Sequence, residues 1–132
     1  MKMIADTNVL LRVVVGDDGQ QSGAAFLAME QSEAVMISHH ALCELVWVLD
    51  RHYGVSRANI AATIRQFRDT KNVVMDRPAV EAGLAVLDAG ADFADGVIAY
   101  EGRWLGGETF VSFDKKAVAV IAKQGMQARL LG

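Results

Sequence analysis

Five short apolar runs, separated by stretches with helical spacing, constrain this chain more than any other feature. They fall at residues 2–5, 34–38, 73–75, 109–112 and 128–131. Between them, apolar side chains recur three and four residues apart, which gathers them on one face of a helix. That spacing predicts helices over residues 6–15, 20–32, 39–53, 57–70, 78–88, 92–104 and 115–123. Gly16-Asp17-Asp18-Gly19 marks a turn, Ser56 a helix cap, and Pro78 a first helical turn. Gly54, Gly106-Gly107 and Gly125 mark helix ends. Strands joined through helices run parallel and need cover on both faces. The expectation is an α/β fold: a single three-layer domain over residues 1–132, with a central, mostly parallel sheet of four or five short strands flanked by helices.

Composition agrees with a dense globular core. Hydrophobic residues make up 52% of the 132 residues, and Pro78 is the one proline. Apolar content this high leaves surface for a partner or a second copy to cover. No run reaches the roughly 18 apolar residues of a membrane span. The N-terminus enters a strand pattern directly, without the basic and apolar segments of an export signal. Cys43 has no second cysteine to pair with, and a cytoplasmic location is expected. The net charge of −3 argues against nucleic-acid binding by bulk charge. It leaves room for an enzyme of nucleic acids whose carboxylates hold a cation.

Chemistry enters with the acids. Met3-Ile4-Ala5-Asp6-Thr7-Asn8 reads as a strand ending at a carboxylate. The carboxyl ends of parallel strands are where open α/β sheets place their ligands. Asp114 follows the strand at residues 109–112 in the same way, and Asp92 and Asp95 open a helix. Right-handed crossovers put strand ends at one edge, so Asp6 and Asp114 are expected to face a common crevice with Asp95 above it. Glu44 lies within Cys43-Glu44-Leu45-Val46-Trp47-Val48-Leu49, a helix apolar nearly all round and expected to be largely buried. A carboxylate there needs a partner: a proton, a metal, or a cation such as Arg12 or Arg51. Clustered carboxylates repel unless protons or hard cations neutralise them. Without a cysteine and histidine set for zinc, Mg²⁺ or Mn²⁺ is the natural occupant. Such ions orient a phosphate ester, activate water and stabilise the leaving oxygen.

Asp6-Thr7-Asn8, the Glu44 helix, Asp92-Phe93-Ala94-Asp95 and Ser112-Phe113-Asp114-Lys115-Lys116 together resemble the PIN-domain ribonucleases. The chain is most similar to the VapC-type toxins of toxin–antitoxin pairs, over essentially its whole length. The resemblance implies a quartet of Asp6, Glu44, Asp95 and Asp114 holding Mg²⁺ or Mn²⁺, with Asp92 as an accompanying acid. Thr7, Asn8 and Ser112 match polar positions that orient carboxylates or waters. The implied reaction is hydrolysis of RNA phosphodiesters, inhibiting translation. The implied partners are RNA, a second copy in a homodimer, and a VapB-like antitoxin whose tail crosses the active-site groove. Gly96 departs from the pattern, which has alanine there; it weakens the helix start slightly.

Each residue also has a plainer role. Asp6, Asp95 and Asp114 all suit helix caps, which is compatible with ligation through the second oxygen. Lys115 and Lys116 flank the acids and, with Arg12, are candidates for RNA phosphates. Arg57, Arg65, Arg68 and Lys71 read as a solvated helix face, and His39 and His40 as cap or surface residues. Trp47 and Trp104 read as core or dimer anchors, and Cys43 as a small core residue. The alternative function is a catalytically silent PIN-like module that binds proteins. A phosphotransfer receiver is a third, with Asp76 as acceptor, but it leaves Glu44, Asp92 and Asp95 without a role.

Overall fold

The computed structural model describes residues 1–132. All twelve expected elements form, each within two residues of its expected limits. In chain order they are β1 (Lys2–Ile4), α1 (Thr7–Val15), α2 (Gly19–Gln31), β2 (Ala34–Met36), α3 (His39–Arg51), α4 (Arg57–Asp69), β3 (Val73–Val74), α5 (Arg77–Asp88), α6 (Phe93–Trp104), β4 (Thr109–Ser112), α7 (Lys115–Lys123) and β5 (Gln127–Leu130). The α/β class with parallel strands is as expected. The strands hydrogen-bond as a sheet of three, ordered β1-β2-β3, and a separate pair, β4-β5. The chain divides into two units, Met1–Asp76 and Arg77–Gly132.

In the first unit, pairs of helices carry the chain from each strand to the next parallel one. The register sets Met3 beside Val35 and Val35 beside Val73. Val35 on the central strand is fully buried, as are Leu10, Leu42, Leu45, Leu49 and Ile64 from the surrounding helices. Burying side chains of this size stabilises by roughly 1.5–3 kcal/mol each. Short polar side chains start the helices. Asp6, Asp18, Ser38 and Ser56 each accept a hydrogen bond from the backbone N–H three residues on, at 3.0–3.2 Å. Gly16 ends α1 in the left-handed region (φ 67°), closing its N–H onto the carbonyl of Arg12.

Helix α3 differs from expectation. It buries one stripe, Ala41, Leu42, Leu45 and Leu49, and leaves Glu44, Trp47 and Asp50 exposed. Trp47 is 54% exposed, lying edge-on to His52 with the Arg51 guanidinium 5.7 Å from its ring centre. An apolar sequence on every face does not bury every face, because neighbours cover only the stripe that meets α1 and α4. Trp104 is 77% exposed and likewise lies outside the core.

In the second unit, α5 and α6 pack at unusually short range. A Cβ built on Gly96 would meet the Ala82 carbonyl oxygen at 2.4 Å and the Gly83 Cα at 2.8 Å. A Cβ on Gly83 would meet the ring of Phe93, itself fully buried, at 2.6 Å. The two glycines therefore set the distance between the helices. This is a larger role for Gly96 than slight weakening of the helix start. Phe110 from β4, Ala117, Val120 and Ile121 from α7, and Val86 and Ala99 from the helix pair complete this core.

Gly96→Ala should destabilise the protein despite alanine's better helix propensity. The obstacle is backbone, so overpacking of about 1–3 kcal/mol outweighs a propensity gain of about 1 kcal/mol. Thermal melts are expected to show Tm lowered by several degrees, and an unchanged or raised Tm would show that the helices separate freely.

Candidate metal centre

Three carboxylates of the second unit converge because two helices begin there. The loop after α5 closes with hydrogen bonds from Gly90 N–H to the Leu87 carbonyl and from Ala91 N–H to that of Val86, both 3.1 Å. Asp92 then takes the cap position of α6, but its side chain makes no capping bond. Asp95 lies in the first turn of α6, with its N–H on the Asp92 carbonyl at 3.0 Å. Asp114 follows β4 and caps α7, one carboxylate oxygen accepting from Ala117 N–H at 3.1 Å. Ser112 Oγ accepts the Asp114 N–H at 3.0 Å, fixing the bend between strand and helix. One carboxylate oxygen from each of Asp92, Asp95 and Asp114 lies within 4.8 Å of the other two.

Asp92 and Asp114 are exposed and Asp95 is half-buried. Burial, and then the charges of Asp92 and Asp114, raise the Asp95 pKa above its ordinary value. The starts of α6 and α7 offset part of this repulsion with the positive ends of their dipoles. The remainder suits a hard dication. Octahedral Mg²⁺, with bonds of about 2.0–2.1 Å, holds neighbouring oxygens about 3 Å apart and opposite ones about 4 Å apart, so the three oxygens would have to draw closer to share one ion. All three donors are oxygens, the ligand set that hard divalent cations favour. Lys115 and Lys116 are exposed at the start of α7, and the Lys116 stem lies close over Gly90.

The first unit arranges the other expected site residues. Asp6 ends the β1 segment and caps α1, with one oxygen on Val9 N–H at 3.0 Å. Thr7 Oγ1 donates to Glu44 at 3.2 Å, and His40 Nε2 lies 3.0 Å from the other oxygen of Glu44. The side chain of Glu44 is 57% exposed. The expected burial of Glu44 is therefore wrong, and so is the demand for a charge partner that followed from it. It sits off the buried stripe of α3, and its partners are Thr7 and His40. Arg12 is bound to Asp17, and Arg51 lies beside Asp50. The contact of His40 with Glu44 was not anticipated, although four-residue spacing within a helix is a legible signal for it. Asn8 is exposed and lines a cavity beside Asp6.

The PIN domain family profile matches residues 3–123 of the chain. No curated protein matches it.

A dication that binds the folded chain should raise its Tm. At ten times Kd the stabilisation is about 1.4 kcal/mol, or roughly 5 °C for a chain of this length. Asp95→Asn should abolish the shift. Because the folded-state pKa of Asp95 is raised, its ionisation costs stability as pH rises through its titration. Without added metal, Asp95→Asn should therefore melt higher than wild type at neutral pH, and the gain should shrink as pH falls into the carboxylate range. An equal Mn²⁺ shift in wild type and variant would place the ion elsewhere.

Proposed function

The chain belongs to the PIN-domain family, whose fold is of nuclease type, and from that premise we propose that it is an endoribonuclease dependent on Mg²⁺ or Mn²⁺. We further propose that it is the VapC-like toxin of a toxin–antitoxin pair, cutting RNA to inhibit translation. The observation that carries the nuclease reading is the convergence of Asp92, Asp95 and Asp114 within 4.8 Å in a chain of this family. A protein-binding module has no need of like charges held together at a cost.

In this proposal Asp6, Glu44, Asp95 and Asp114 form the catalytic acid set, with Asp92 as a further ligand. These residues would hold the cation, which would supply Lewis-acid activation of water and charge stabilisation for hydrolysis of a phosphodiester. The residues themselves hold and orient. Asp6 and Asp114 each give one oxygen to a helix cap and keep the second for the site. Ser112 fixes the backbone of Asp114, and Thr7 fixes Glu44. Lys115 and Lys116 supply the positive charge that an RNA phosphate requires and that the whole chain, at −3, lacks. Arg12, bound to Asp17, is a weaker phosphate contact. A homodimer and a VapB-like antitoxin complete the proposed assembly, in the cytoplasm.

Purified protein with Mn²⁺ or Mg²⁺ should cleave RNA internally, and excess EDTA should stop it. Asp95→Asn and Asp6→Asn should lower the cleavage rate by roughly 10²-fold or more, the scale of losing a preorganised electrostatic group. Circular dichroism should report an intact fold in both. Full activity in either variant, or cleavage that persists in EDTA, contradicts the assignment. Metal binding without any RNA cleavage would favour the silent module.

A further inference from the structure

A cavity of about 440 Å³ opens beside Asp6 in the first unit. Its floor is one stripe of α2, where Ala24, Ala25 and Ala28 present only methyl groups, and Met3 and Val9 form an apolar side. Asn8 and Gln21, both exposed residues that carry side-chain amides, also line it. Arg12 also lines it, but its guanidinium is bound to Asp17. The other oxygen of Asp17 accepts the Tyr53 hydroxyl at 3.1 Å.

These features select a ligand. With Asp6 and Asp17 set against Arg12, the cavity carries no net positive charge, so a phosphate gains little there. A purely apolar group would make no use of the polar side chains of Asn8 and Gln21 on the lining. A flat neutral heterocycle suits both surfaces. Its face lies on the alanine floor, and its edge meets amides that each offer a donor and an acceptor. Sequence-specific proteins read unpaired RNA bases by this combination of apolar face and polar edge.

We propose that this cavity is a nucleobase subsite, taking one unpaired base of the RNA substrate, with Asn8 and Gln21 as the residues that set base preference. The assignment rests on the ribonuclease proposal through Asp6, which lines the cavity and belongs to the proposed acid set.

The test has two arms. In the first, ribonucleoside 5′-monophosphates are titrated into isotope-labelled protein and backbone amide NMR shifts are followed. Shifts at Gln21, Ala24, Ala25 and Ala28 are expected with at least one nucleotide, absent with ribose 5-phosphate, and lost in Ala28→Leu, which fills the cavity. In the second, a randomised RNA pool is cleaved and sequenced. Gln21→Ala should change the preference at one nucleotide position by about fivefold or more. Equal shifts with ribose 5-phosphate, no nucleotide shifts at all, or an unchanged cleavage profile in Gln21→Ala would overturn the subsite. Nucleotide binding without RNA cleavage would sink the ribonuclease proposal and leave the base site standing. Cleavage with neither shifts nor altered preference would do the reverse.

Discussion

Like charges held within 4.8 Å of one another are the constraint around which the second unit is built. Asp92, Asp95 and Asp114 would separate if their backbones were free to move, so the segments that carry them have to be stiff. Two devices supply the stiffness. Glycines at 83 and 96 let α5 and α6 approach until backbone meets backbone, fixing the helix that bears Asp92 and Asp95. Ser112 ties the backbone of Asp114 at the end of β4, and the Asp114 side chain ties the start of α7. Burial first, and then the charges of Asp92 and Asp114, raise the pKa of Asp95.

Capping and ligation share the same side chains. Most helices here begin with an aspartate or serine that satisfies an orphan backbone N–H. At Asp6 and Asp114 one oxygen is spent in this way, which fixes the carboxylate in a single orientation. Asp92 occupies a cap position without making the bond, so its carboxylate is not committed to the helix. Glu44 takes its orientation from elsewhere, through Thr7 at the start of α1 and His40 one turn back on its own helix. A residue half in solvent needs such tethers more than a buried one, because packing does not choose its rotamer.

The limits of the elements were legible because local signals set them. The cap at Ser56, the turn at Gly16-Asp17-Asp18-Gly19 and the strands around Val35 and Phe110 all act within a few residues. Asp92, Asp95 and Asp114 were legible for the same reason, since each follows a strand or loop and opens a helix. What was not legible depends on which neighbour covers which face. Leu42, Leu45 and Leu49 are buried while Trp47 and Glu44 on the same helix are exposed, and apolar composition alone does not separate them. The division of the strands into three and two depends on distant pairing that runs of two to four residues do not encode. The close contact at Gly96 lies beyond local propensity, which sees only a poor helix former.

The central claim is that these aspartates share one divalent ion. Anomalous diffraction from crystals soaked in Mn²⁺ measures this directly. The account predicts a single strong peak bounded by carboxylate oxygens of Asp92, Asp95 and Asp114, at bond lengths of about 2.1 Å. No peak at that position, with Mn²⁺ bound elsewhere or not at all, would contradict it.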